Sequence, residues 1–184
     1  FIPLVGNVLP PLAGVALGLP EWSAAQLGVG VILWPVTLTL LAVRLGQIGL
    51  WPDRMLASTF ITIAPPSVIG LGVLQLGAPP LLGWAFWGLG LFFLCWSATL
   101  FKRMVAQPFS IAFWGLSFPL AAFTALTLRL SEHAPGAVAH LGLVLLALTS
   151  IVIATLVLGT VQGLRRGSLL VPEPAPTVAT VTAN

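Results

Sequence analysis

The polar side chains of this chain are few, and their spacing is the first guide to any chemistry. Ser110, Ser117 and Thr124 recur every seven residues. On a continuous helix that spacing keeps three hydroxyls on one face, drifting about 20° per heptad, where they could donate to a passing anion. Thr59, Thr62 and Pro66 share a face by i, i+3, i+7 spacing. Asn7 places an amide close to Pro10-Pro11. Each of these groups has a second use, because hydroxyls and amides in apolar helices also bond a neighbouring helix or their own backbone. Ser97, Thr99, Thr149 and Ser150 sit in comparable surroundings, so residue type alone leaves both uses open.

Other chemistries are poorly supplied. There is no GxSxG, no HExxH and no His/Cys/Glu cluster at metal spacing, so no catalytic residue, metal or cofactor is expected. Glu132-His133 and Asp53-Arg54 are isolated pairs in separate connections. The lone Cys95 allows no disulfide within one chain and reads as a small buried hydrophobe. Lys102 and Arg103 form a basic pair beside a long uncharged stretch, a suitable mouth for concentrating anions. Seven Lys and Arg in ones and twos make no stripe for phosphate, so nucleic acid is not an expected partner.

The elements that must position these groups belong in lipid. Of 184 residues, 58% are apolar and only 6% carry charge, against roughly 25% charged in soluble domains. A mean hydropathy of +1.09 leaves too few polar residues to cover a water-facing surface. Uncharged stretches predict six spans at about 1–18, 22–43, 55–76, 81–101, 107–128 and 137–164, followed by a disordered tail over 165–184. Gly77-Ala78-Pro79-Pro80 divides the long stretch from Met55 to Phe101. Gly28/Gly30 and Gly70/Gly72 mark close helix packing. The first stretch is apolar from Phe1 onward, without the basic start of a signal peptide, and is expected to be the interior of a longer chain.

Loop charges predict orientation. The connections after the second, fourth and sixth spans hold Arg44, Arg54, Lys102, Arg103, Arg165 and Arg166, whereas those after the odd spans hold only Arg129. The positive-inside rule then puts the C-terminus in the cytoplasm. Interior charges are missing from the spans, and His140 is the sole titratable group within one, near its outer end. Proton-coupled carriers usually need an intramembrane relay.

Prolines separate the spans into two kinds. The odd spans carry Pro10-Pro11, Pro65-Pro66 and Pro119, roughly 54 residues apart, whereas the even ones hold Pro35 alone. Proline lacks the N–H that bonds the carbonyl four residues back, so kinks are expected at all five positions. The chain thus reads as three hairpins, each a kinked helix followed by a straight one. Kinked backbone at membrane depth is tolerated where protein or a wet cavity covers it, which makes the odd helices the expected inner ring.

The segments Phe1-Ile-Pro-Leu-Val-Gly-Asn7, Ile61-Thr-Ile-Ala-Pro-Pro-Ser67 and Phe113-Trp-Gly-Leu-Ser-Phe-Pro119 resemble the family of bacterial tellurite-resistance (TehA-like) proteins, plant slow anion channels and C4-dicarboxylate (malic acid) transporters. The resemblance implies ten helices in five hairpins, proline-kinked odd helices around a pore, a homotrimer, and a bacterial inner-membrane setting. It implies that this chain corresponds to the last six helices, the first four being absent. It also implies that Phe118 plugs the pore. The residues alone leave Phe118 open between gate and helix packing; Gly115, bare of side-chain bulk beneath it, suits a bend. The expected protein is therefore all-α, a polytopic helical bundle forming part of a channel or transporter for chloride, nitrate, tellurite or C4-dicarboxylate-like anions, with lipid and small anions as its partners. A proton-coupled organic-acid or sulfite carrier and a non-transporting membrane fragment are the alternatives.

Overall fold

In the computed structural model, residues 6–134, 136–167 and 169 are described, and helices are their only regular structure. After a helical turn at 6–8, the chain forms α1 (Pro11–Gly14), α2 (Pro20–Ile48), a 3₁₀ segment (Asp53–Ile63), α3 (Ala64–Gln75), α4 (Pro80–Thr99), α5 (Phe101–Val105), a second 3₁₀ segment (Ile111–Leu116), α6 (Ser117–Ser131) and α7 (Ala137–Arg165). Among the described residues five stretches are long and apolar enough to cross a membrane: Pro20–Ile48, Asp53–Gln75, Pro80–Thr99, Ile111–Ser131 and Ala137–Arg165. The first expected span is described only from Gly6, where it is short and broken, and the expected tail lies mostly outside the described residues.

Helix ends follow local chemistry. Pro20 and Pro80 open α2 and α4, where a missing N–H is not needed. α3 ends in a Schellman turn: Gly77 takes φ +86°, its N–H bonds Leu74 O at 3.1 Å, and Ala78 N–H reaches Val73 O at 2.9 Å. α2 outruns its expected 22–43 because an uncharged stretch marks where lipid is met, whereas the helix continues to its ends past Glu21 and Arg44.

The prolines of the broken spans do not bend the middle of continuous α-helices. Pro11, Pro65, Pro66 and Pro119 stand in the first turns of α1, α3 and α6, and Pro10 is the residue before α1. In the two longer broken spans a 3₁₀ segment precedes the proline, so the chain changes helix type at the break. The even helix α2 by contrast runs unbroken through Pro35.

The second broken span lies at the centre. Leu56, Ala57, Phe60, Ile63, Val68 and Ile69 are buried together with Phe93 of α4 and Leu116 and Phe123 from the third broken span. Close approach is built from glycine at Gly70, where a Cβ would lie 2.8 Å from Leu126, and at Gly30, where it would lie 2.3 Å from Val8. Gly72 is buried as expected, but Gly28 faces open space and Cys95 is exposed. In lipid the outer face is as apolar as the core, so hydrophobicity alone does not tell the two apart.

Candidate functional site

The three breaks meet. Gly6 and Leu9 from the first broken segment, Ile61 and Ala64 from the second, and Trp114, Gly115, Phe118 and Pro119 from the third line one cavity of about 380 Å³. The Phe118 ring stands in it 44% exposed. Five residues further along α6, Phe123 is 1% exposed and stacks on Trp87 with centroids 5.7 Å apart, so the two phenylalanines have different surroundings.

Local geometry fixes the lining. The 3₁₀ segments bring Ile61 and Trp114 in just before the prolines, and Gly115 lets the third segment lie against the second, its Cβ position being 3.4 Å from Ala57 O. α3 and α6 both begin at the cavity, at Ala64 and Ser117, but each continues from its 3₁₀ segment, with Ala64 N–H bonded to Ile61 O and Ser117 N–H to Trp114 O, so neither start presents an open helix end. Prolines at both starts lower the number of N–H donors there. Among the lining residues, Trp114 alone carries a side-chain hydrogen-bonding group, and its Nε1–H is given to Thr160 Oγ1 of α7 at 2.9 Å.

The hydroxyls singled out by sequence lie elsewhere. Thr59 and Thr62 are buried in the core, their hydroxyls donating to Leu56 O and Thr59 O, each at 2.7 Å. Ser117 donates to Trp114 O at 2.8 Å, and Thr124 bonds Thr149 across to α7 at 3.0 Å. Ser110 is extended and precedes the 3₁₀ segment, so Ser110, Ser117 and Thr124 share no helical face: the seven-residue rule assumes a continuous α-helix, and this span is broken. Asn7 is half-buried beside Gly30, between lining residues but not one of them. Lys102 and Arg103 are exposed on α5 and outside the lining, and Arg103 pairs with Asp53 at 2.5 Å. His140 Nδ1 lies 2.8 Å from Gly136 O in the first turn of α7.

Of this lining the sequence singled out Gly115, Phe118 and Pro119 but not Gly6, Leu9, Ile61, Ala64 or Trp114, and Pro10, Pro11, Pro65 and Pro66 are not part of it. Proximity to a proline was the available signal; polarity drew attention to Thr59, Thr62 and Ser117, which serve their own backbone, and to Thr124, which serves a neighbouring helix. Short i to i−3 and i−4 bonds give a buried hydroxyl a partner without any help from a neighbour.

Residues 1–161 match the family model described as SLAC1, voltage-dependent anion channel. The S-type anion channel SLAH2 of Arabidopsis thaliana is 28% identical over 137 residues, which is 72% of this chain and 26% of that protein. The chain therefore spans about a quarter of the length of that curated relative. Among solved structures none gives a significant match.

Proposed function

Because the chain belongs to the voltage-dependent anion channel family and is a multi-pass membrane protein, we propose that the cavity around Phe118 is a stretch of an anion pathway and that the Phe118 ring obstructs it. One observation carries the reading: three broken helices from three hairpins converge on a single apolar cavity with a half-exposed aromatic ring in it. Apolar constrictions of this kind stop ions by excluding water.

The sign of the ion follows from the family, whose model is described as an anion channel. Among the described residues that line the cavity none is acidic, so none of them repels an anion. With no free hydroxyl or ammonium among the lining side chains, an entering ion must shed water without replacement, so weakly hydrated nitrate should pass more readily than chloride. Pro65, Pro66 and Pro119 mark where a 3₁₀ segment gives way to an α-helix, and Pro10 and Pro11 mark the start of α1. Tellurite and C4-dicarboxylates are further substrates that the family resemblance suggests. A homotrimer in a bacterial inner membrane, with a cytoplasmic C-terminus, is the assembly we propose for the full-length protein, supported by that resemblance and by the basic residues after the even spans.

Anion current of the full-length Phe118→Ala protein, normalised to protein in the membrane, tests the gate. Removal of an obstructing ring raises the current, and each 1.4 kcal/mol taken from the barrier is about tenfold. A Phe118 that merely packs gives less protein and unchanged or lower current per molecule, which would overturn the assignment.

A further inference from the structure

Thr124 bonds α6 to α7 beyond Phe118, and the joint just before Phe118 has a side-chain hydrogen bond of its own to α7. Trp114 precedes Phe118 by four residues and closes the joint between the 3₁₀ segment and α6: its carbonyl accepts both the backbone N–H and the hydroxyl of Ser117. Its indole Nε1–H reaches Thr160 Oγ1 at 2.9 Å, and that hydroxyl in turn donates to Leu156 O at 2.8 Å within α7. The Thr160 oxygen is thus donor to its own helix and acceptor from the joint, a short chain in which each bond polarises the next. An adjacent contact aligns the same pair of elements. Gly159 of α7 receives the ring of Phe109, whose Cε2 would lie 2.8 Å from a Cβ there, and Phe109 stacks on Phe113 with centroids 5.6 Å apart.

From this arrangement we infer that the Trp114–Thr160 hydrogen bond is a latch that sets the position of the Phe118 ring from α7. Trp114 and Thr160 are positioning residues; neither replaces the ring as the obstruction. The indole lines the cavity, yet its donor is turned to α7, so it holds the joint and does not serve a passing ion. Movement of α7 relative to the joint would reach Phe118 through this bond, which makes the last helix the element through which the obstruction is adjusted. The inference rests on the reading of Phe118 as the gate, and the test keeps the two apart.

The test uses full-length protein with anion currents normalised to protein in the membrane. Thr160→Val keeps the shape and removes the acceptor; Trp114→Phe keeps an aromatic ring and removes the donor. Each should raise current about fivefold, the size set by one hydrogen bond. The double variant should equal either single one, because both remove the same bond. Thr160→Ser restores the hydroxyl and should behave as the unmodified protein. In a Phe118→Ala background, Thr160→Val should change nothing further. If Phe118→Ala raises current while Thr160→Val does not, the latch is wrong and the gate stands. Equal currents for Thr160→Ser and Thr160→Val, or a multiplicative effect of Thr160→Val on Phe118→Ala, would also overturn the latch. A silent Phe118→Ala overturns the gate, and the latch with it.

Discussion

Phe118 and Phe123 lie on one helix five residues apart, and truncating each to alanine should have different consequences for stability. Between protein and lipid tails the transfer term largely cancels, so the loss comes from packing. A phenyl ring leaves a void on the order of 100 Å³, and at about 24 cal/mol per Å³ this costs roughly 2.4 kcal/mol when nothing collapses into it. Phe123 meets that condition: it is 1% exposed, and its ring occupies the space left by Gly90, where a Cβ would lie 2.9 Å away. Its stacking on Trp87 adds about 0.5 to 1.5 kcal/mol, giving a loss near 3 kcal/mol for Phe123→Ala. Phe118 is 44% exposed in a cavity that already exists, so it has roughly half the packing to lose, about 1.3 kcal/mol. The gap of nearly 2 kcal/mol is more than tenfold in the ratio of folded to unfolded protein. Thermal aggregation of detergent-solubilised full-length protein, followed by size-exclusion, should place Phe123→Ala well below Phe118→Ala. Equal losses at both positions would refute the assignment of one ring to the core and the other to the cavity.

Gly30→Ala should separate α2 from the segment at 6–8, since its Cβ meets Val8 at 2.3 Å, with backbone also close, and a loss of about 1 to 3 kcal/mol is expected. Gly28→Ala, with open space around it, should be neutral or stabilising by up to about 1 kcal/mol through helix propensity, and the same aggregation assay checks both. A reporter fused after Arg166 should be active in the cytoplasm and one inserted at Ser131 outside, from the distribution of basic residues. Both reporters on one side would contradict that orientation.

Composition and proline spacing made the membrane bundle legible, because few charges and an excess of apolar residues admit no water-facing surface. Three facts stayed hidden. The change from 3₁₀ to α-helix at Ala64 and Ser117 depends on how the breaks pack together, and proline spacing cannot distinguish a kinked helix from a helix that restarts. Thr59, Thr62 and Thr124 stayed open between pore lining and helix bonding because residue type does not tell the two apart; their partners are Leu56 O, Thr59 O and Thr149, invisible without the fold. Cys95 looked buried for the opposite reason: an apolar residue in a lipid-facing helix gives no sign of which way it faces. At Phe118 the sequence offered a ring before a proline, and only the convergence of Leu9, Ile61 and Ala64 from other hairpins turns that ring into part of a cavity.

Substituted-cysteine accessibility asks whether water and ions reach the cavity, on which the proposed pathway depends. In a full-length Cys95→Ala background, cysteines placed singly at Ile61, Ala64 and Leu9 are treated from the aqueous side with a bulky charged thiol reagent while anion current is recorded in the Phe118→Ala protein. The account predicts rapid modification and loss of current at these three lining positions, and no response at Thr59 or Thr62, which are buried with their hydroxyls bonded to their own backbone. Block through cysteines at Thr59 and Thr62, with Ile61, Ala64 and Leu9 unreactive, would place the pathway elsewhere and contradict it.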